Sequence, residues 1–106
     1  MVKRGDIWLV TLDPTMGSEI RKARPCVVVS PPEMHDHLRT VIVAPMTTGA
    51  RDAPFRVPVS FRGKKGLILI DQIRALDKTR LARRLGAVSS TTLSATLKTL
   101  QETFAV

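Results

Sequence analysis

Charged side chains that could bind a phosphate are concentrated in one segment near the start of the chain. Glu19, Arg21, Lys22 and Arg24 lie close together in sequence, and Pro25 directly follows the last of them. An arginine beside a proline that starts a strand has a comparatively rigid backbone, and a fixed guanidinium can clamp a phosphate and offset charge on its oxygens. The alternative is a solvated loop in which Glu19 pairs with a neighbouring basic side chain.

Residues that could hold a metal or act as nucleophiles are few. His35 and His37 flank Asp36, but no further ligands are evident nearby, so we expect an exposed loop pair whose functional use would be contact with a nucleic-acid backbone. Cys26 is the only cysteine, which excludes an internal disulfide and a cysteine-based zinc site. Its Val-rich surroundings indicate a small buried side chain. No metal or cofactor is predicted.

The charge balance favours a polyanionic partner. The formal net charge is +8 and the pI is near 10.9, so nucleic acid is the first partner to consider. An acidic protein would be attracted by the same positive charge. Aromatic residues make up 4% of the chain, with no tyrosine, and Trp8 lies inside an apolar run where core packing is expected. Binding should therefore depend on phosphate charge more than on stacked bases.

Short runs rich in β-branched and aliphatic residues predict a mainly β protein. Four of them are bounded by Gly, Pro, Asp or Ser: 7–12, 26–30, 40–46 and 67–70. A fifth run, 55–59, contains Pro58, which has no N–H for a ladder, so we expect an edge strand there. Shorter elements are expected as strands at 73–77 and 84–88 and as a helical turn at 31–35.

The connections between these runs are short and broken by proline and glycine, whereas parallel neighbours need crossovers of about a dozen residues. We therefore expect a mainly antiparallel sheet. Apolar residues at consecutive positions indicate strands covered on both faces, as in a small curled barrel that also carries a helix or a partner subunit. Leu93, Leu97, Leu100 and Phe104 form one apolar stripe, which predicts an amphipathic helix over 90–104 capped near Ser89.

The length of 106 residues and the 43% hydrophobic content suit a single domain over residues 1–106. The first residues lead straight into a strand-like run, and no long apolar segment occurs, so we expect neither a signal peptide nor a membrane anchor. These features predict a soluble, cytoplasmic protein.

A series of short motifs, in order, resembles the MazF/PemK family of toxins. They are Arg4-Gly5-Asp6-Ile7-Trp8, Asp13-Pro14-Thr15, Gly17-Ser18-Glu19, Arg24-Pro25, Pro45-Met46-Thr47-Thr48 and the run from Gly66 through Asp71-Gln72 to Arg74. The C-terminal amphipathic helix also lies where that family has one. Each motif is weak alone, but the ordered combination covers nearly the whole chain and is specific.

This resemblance implies an SH3-like barrel of the CcdB/PemK type that forms a homodimer, cleaves single-stranded RNA and is inhibited by a cognate antitoxin. By matching positions, Arg24 corresponds to the family's catalytic arginine, Thr47 to its site threonine, and Glu19 to a loop acid proposed as a base in some members. Thr48 supplies a neighbouring hydroxyl. For both threonines the alternative is turn capping.

Asp71 matches a position used catalytically in some members, but the strand arginine that accompanies it there is Leu69 in this chain. A structural carboxylate at a strand end is the alternative. The basic residues expected to line an RNA groove are Arg21, Lys22, Arg51 and Arg56. Those expected elsewhere are Lys64 and Lys65 in a solvated turn, and Arg80, Arg83 and Arg84 in a second cluster for RNA or an acidic antitoxin tail.

RNA carries its own nucleophile, the 2′-hydroxyl, so an enzyme needs to remove that proton, stabilise the charged phosphorane and protonate the leaving 5′ oxygen. Arg24 is the expected phosphate clamp, Thr47 a donor to a phosphoryl oxygen, and Glu19 the base. These roles predict a metal-independent, sequence-selective endoribonuclease that leaves a 2′,3′-cyclic phosphate and a 5′-hydroxyl.

Two other functions compete with this interpretation. The first is a CcdB-like toxin that binds DNA gyrase, which is weakened because those toxins use a C-terminal Trp-Gly-Ile and this sequence ends in Thr103-Phe104-Ala105-Val106. The second is a non-catalytic RNA-binding barrel. The combination of Glu19, Arg24 and Thr47 argues against a non-catalytic barrel, and an assay of RNA cleavage by the purified protein distinguishes it from an endoribonuclease.

Overall fold

A computed structural model describes residues 1–12 and 23–106, which form a mainly β protein with two α-helices. The strands are β1 (Asp6–Thr11), β2 (Ala23–Val28), β3 (Thr40–Thr47), β4 (Arg56–Phe61), β5 (Lys64–Leu69), β6 (Arg74–Asp77) and β7 (Leu81–Ala87). The helices are α1 (Pro32–His37) and α2 (Ser90–Thr103), and single 3-10 turns occupy Ile70–Gln72 and Lys78–Arg80. Each predicted element is present, although β2, β5 and β7 begin three residues earlier than expected.

The strands form one antiparallel sheet in the order β4-β5-β3-β2-β1-β7. One edge of β3 is shared: its first half pairs with β6 and its last two residues, Met46 and Thr47, pair with β5. The 3-10 turn at Ile70–Gln72 carries the chain from one partner to the other. This arrangement brings the end of β3 next to the start of β5.

Strand β2 is covered on both faces, as its unbroken apolar sequence predicts. Val27 belongs to a buried cluster that includes Ile7 and Met46. Its neighbours Cys26 and Val28 belong to a second buried cluster on the other face. Burial raises the pKa of the Cys26 thiol to about 12, because a thiolate there would lose its hydration. The predicted inert, buried cysteine is confirmed.

The sheet curls into a half-barrel whose two edge strands approach each other. Arg62, in the turn between β4 and β5, donates through Nη2 to the carbonyl oxygen of Leu85 in β7 at 3.0 Å. A side chain added at Gly86 would meet the ring of Phe61 at 3.1 Å, so the two edges are in close contact there. Strand β4 is an edge strand, which confirms the expectation from Pro58.

Helix α2 packs on β4 and on the Ile70–Gln72 turn. Its first turn is capped by Ser89, whose Oγ accepts the amide of Thr92 at 3.1 Å. The predicted apolar stripe is only partly correct. Thr96 is the buried residue of the helix, whereas Phe104 follows its last turn and is 72% exposed. The aromatic ring at the end of the stripe therefore has no place in the core of this subunit.

Candidate active site

An open cavity of about 240 Å³ lies where the start of β2, the end of β3 and the β4–β5 hairpin meet. Its polar lining comes from residues of three strands and the turn after β3: Arg24, Thr47, Thr48 and Lys64. Pro25, Met46, Val59 and Phe61 supply an apolar lining, and Gly66 completes the wall. Cations and hydroxyls beside an apolar surface suit a ligand that carries both a phosphate and a flat ring.

Arg24 is the second residue of β2, where it pairs in register with Val10 of β1. The side chain is half-buried, and its Nε atom is buried without a hydrogen-bond partner among the described residues. A buried donor without a partner is costly, and such atoms are commonly satisfied by a ligand or water. Arg24, the predicted phosphate clamp, thus lies at this cavity with an Nε–H that has no partner among the described residues.

Thr47 is the last residue of β3, and its Oγ1 accepts the backbone amide of Gly49 at 3.3 Å. Thr47 therefore does cap the turn, as the alternative stated, but this hydrogen bond uses only a lone pair of its hydroxyl oxygen. The hydroxyl hydrogen stays available to donate, so capping and donation to a phosphoryl oxygen are compatible. Thr48 follows directly and lines the same cavity.

Lys64 and Gly66 are among the cavity residues that the sequence did not predict. Lys64 was expected in a solvated turn with Lys65, but both belong to β5, since the turn is made by Arg62 and Gly63, which have positive φ angles of 52° and 77°. Gly66 contributes by its lack of a side chain. An added Cβ would lie 2.7 Å from the carbonyl oxygen of Thr47. The Gly-Lys-Lys-Gly spacing offered a turn signal, but it did not reveal which residues face the cavity.

Asp71 and Arg56 form a separate group away from the Arg24 cavity. The guanidinium of Arg56 donates through Nε and Nη2 to the two oxygens of Asp71, each at 3.2 Å, and through Nη1 to the carbonyl oxygen of Arg51 at 3.0 Å. The hydrogen bond to Asp71 raises the pKa of Arg56. Asp71 thus accepts a bidentate side-chain pair rather than backbone hydrogen bonds.

This pair borders a shallow groove formed by Pro54, Phe55 and the last turns of α2. Arg51 is exposed beside it, as a phosphate-binding residue would be. Arg56 has its guanidinium engaged by the chain itself. Within one subunit, Asp71 and Arg24 do not line a common cavity.

The expectation of an exposed histidine pair was wrong for His35. Both histidines lie on α1, where His35 is buried and His37 is exposed. The Nδ1 of His35 lies 3.3 Å from the carbonyl oxygen of Val2, which can only accept, and Nε2 lies 2.6 Å from Ser30 Oγ. Lys78 Nζ donates to the carbonyl oxygen of His35. This residue joins distant segments of the fold and does not face the cavity.

Other predicted groups have structural partners or fall outside the described residues. Arg84 pairs with the buried Asp6 at 3.2 Å, and Arg80 donates to the carbonyl oxygen of Thr11 at 3.4 Å, whereas Arg83 is exposed. Trp8 is half-buried against the second buried cluster. The predicted base and two predicted RNA-binding residues, Glu19, Arg21 and Lys22, lie outside the described residues.

Within residues 1–12 and 23–106, no three His, Cys, Asp or Glu side chains converge as a metal site would require. Of the helices in that part of the chain, none is long and apolar enough to cross a membrane.

A curled antiparallel half-barrel with an arginine and two hydroxyls at one cavity defines a small basic β protein. The chain belongs to the PemK-like, MazF-like toxins of type II toxin-antitoxin systems, whose family model matches residues 3–104. This membership confirms the resemblance seen in the motifs.

Individual relatives agree with this assignment. Endoribonuclease PemK of Escherichia coli is 38% identical over 102 residues, which cover 91% of this chain and 77% of that protein. Endoribonuclease MazF of Staphylococcus epidermidis is 38% identical over 95 residues, or 84% of this chain and 79% of that one. A crystal structure of MazF from Deinococcus radiodurans superposes with a TM-score of 0.86 at 25% identity, covering 99% and 97% of the two chains.

Proposed function

We propose that this protein is a metal-independent, sequence-selective endoribonuclease toxin that cuts single-stranded RNA. The observation that carries the proposal is the meeting of Arg24, Thr47 and Thr48 at one cavity in a chain whose 38%-identical relatives are endoribonucleases. The net charge of +8 suits a polyanionic substrate, and Lys64 adds a second cation at the same cavity.

The proposed reaction uses the nucleophile that RNA carries. The 2′-oxygen attacks the adjacent phosphorus, the bond from phosphorus to the 5′ oxygen breaks, and the products are a 2′,3′-cyclic phosphate and a 5′-hydroxyl. Glu19 is assigned as the base that takes the 2′ proton, and a proton must also reach the leaving oxygen. The starting phosphodiester and the phosphorane are both anionic. Cations at the cavity therefore favour the phosphorane over the phosphodiester only if they lie close to the oxygens on which the additional charge builds up.

Arg24 and Thr47 have complementary parts in this proposal. The guanidinium is permanently charged at neutral pH, so its role is electrostatic: it binds the phosphoryl oxygens on which charge builds up. The Thr47 hydroxyl donates to one of these oxygens. Asp71 is assigned to the Arg56 pair and not to this chemistry.

Partners follow from the family and the charge. We propose a homodimer, with the exposed Phe55 and Phe104 rings as apolar surface available to a second copy, and inhibition by an acidic cognate antitoxin that covers Arg24 and nearby basic surface. Single-stranded RNA is favoured as substrate because pairing restrains the sugar and phosphate from in-line geometry. We propose that the protein acts in the cytoplasm, where single-stranded RNA is found.

The decisive experiment replaces one ribose. After the cut site in a synthetic RNA has been mapped, the nucleotide on its 5′ side is changed to 2′-deoxyribose, and both substrates are incubated with the protein in excess EDTA. We expect cleavage of the all-ribose strand, with 5′-hydroxyl ends that a kinase can label directly, and no cleavage of the substituted strand although it still binds.

Three results would contradict the proposal. Cleavage of the substituted strand at the same bond, or a 5′-phosphate product, would identify water as the nucleophile. Loss of cleavage in EDTA would show that a metal ion takes part. Binding of the all-ribose strand with no cleavage at all would favour the non-catalytic RNA-binding barrel.

A further inference from the structure

Gly66 and Thr47 approach each other more closely than any side chain would allow. Gly66 lies in β5 just before Leu67, the residue that pairs with Thr47. A Cβ at position 66 would lie 2.7 Å from the Thr47 carbonyl oxygen, 3.3 Å from its carbonyl carbon and 3.7 Å from the Cα of Thr48. Carbon and oxygen atoms in ordinary contact are about 3.3 Å or more apart. Alanine at this position would therefore force one of the two backbones to move.

At the other glycines of the described residues, an added Cβ would not clash with the backbone of a site residue. A Cβ at Gly49 would meet nothing within 4 Å. One at Gly86 would meet the edge of the Phe61 ring, a side chain that can rotate aside. At Gly66 the obstacle is the peptide that joins the two site threonines, and the end of β3, which pairs with β5 there, cannot move without carrying its side chains along.

We propose that Gly66 is a positioning residue that sets the Thr47 and Thr48 hydroxyls at the cavity. This inference rests on the proposed function, since it assigns these hydroxyls to the bound phosphate. By permitting the end of β3 to lie against β5, Gly66 fixes the peptide from which both threonines project. A displacement of about 1 Å in such a group can cost about a hundredfold in rate.

The test compares two alanine variants that each add one methyl group. Gly66→Ala pushes on the Thr47 peptide, whereas Gly49→Ala adds its methyl to open space, keeps its amide N–H and lies outside the cavity lining. We expect Gly66→Ala to lower kcat for RNA cleavage by about tenfold or more while KM changes less than about threefold, because phosphate charge contacts are retained. Gly49→Ala should stay within about twofold of the unchanged protein. Equal activity of the two variants would overturn the proposal.

A second comparison shows whether Gly66 acts through the hydroxyls. Thr47→Val with Thr48→Val removes both hydroxyls and keeps their shape, and Gly66→Ala is then added to that double variant. If Gly66 positions these groups, its substitution should now change kcat by less than about threefold. A loss as large as in the unchanged protein would mean that Gly66 acts by another route, and the proposal would be wrong.

Two further outcomes are anticipated. If Gly66→Ala is too unstable to assay, both alanine variants are measured in trimethylamine N-oxide, which favours the folded state, and the same kcat difference is expected there. If the unchanged protein cuts no RNA, the proposed function fails on its own. The positioning role is then decided by crystal structures: a Thr47 carbonyl that has not moved in Gly66→Ala relative to Gly49→Ala would overturn it.

Discussion

Removal of the Arg24 guanidinium is the perturbation that bears most directly on the proposed chemistry. Arg24→Ala deletes a half-buried cation whose Nε has no partner among the described residues. A hydrogen bond to a charged group contributes about 1.5–3 kcal/mol, and about 1.4 kcal/mol corresponds to a tenfold change in rate. The expected loss in kcat/KM is therefore between about tenfold and about a hundredfold, without loss of folding.

The matched control is Arg39→Ala, which removes the same type of side chain. Arg39 is exposed and precedes the first residue of β3, so it lies about 25 Å along that strand from Thr47. The assay measures single-turnover cleavage of one labelled RNA at several salt concentrations. Arg24→Ala should also reduce the salt dependence of binding by about one counterion, and Arg24→Lys should restore binding more than rate, because a lysine keeps the charge but loses the planar fork.

An Arg24→Ala rate within about threefold of Arg39→Ala would refute the reasoning. It would mean that the Arg24 guanidinium has no bearing on the reacting phosphate and that the cavity described above is not the site of cleavage. Unchanged thermal unfolding in both variants is needed for this comparison and is checked by circular dichroism.

Three further outcomes are expected. Burial raises the pKa of the Cys26 thiol from 9.0 to about 12, so the native protein should react with a disulfide reagent at pH 8 far more slowly than the urea-unfolded chain. Its free energy of unfolding should also fall as the pH rises from about 9 towards 12, because in that range only the unfolded thiol ionises. Equal reactivity of the folded and unfolded states would contradict this. Arg56→Ala and Asp71→Ala should each speed hydrogen exchange of amides 49–55, and the double variant should add little, since both remove one pair that also holds the Arg51 carbonyl. Sedimentation at micromolar concentration should show a dimer, and a monomer would count against the proposed use of Phe55 and Phe104.

The sequence was sufficient for features set by local chemistry. Pro58 lacks an N–H, and the strand that holds it lies at the edge of the sheet. Cys26 and Val28 alternate with Val27 between two buried clusters, as consecutive apolar residues indicate. The order of motifs identified the family, and Arg24 and Thr47 do line one cavity.

Features set by contacts between distant segments could not be predicted in this way. His35 looked exposed because its partners, Val2 and Ser30, are brought to it only by folding. Lys64 looked like part of a turn because nothing local shows that the strand begins before the apolar run. Gly66 is the clearest case, since the need for glycine there arises from the Thr47 peptide, nineteen positions away in sequence.

The two-sided burial of β2 has a consequence for which changes of chain length the protein can survive. Deleting or inserting one residue within this strand would exchange the faces of Cys26, Val27 and Val28, so that each buried cluster would receive side chains shaped for the other. The same change would also shift Arg24 relative to the end of β3. Length variation among natural homologues should therefore be absent from 24–28 and concentrated in connections such as 48–55, where one added residue reverses no side chain.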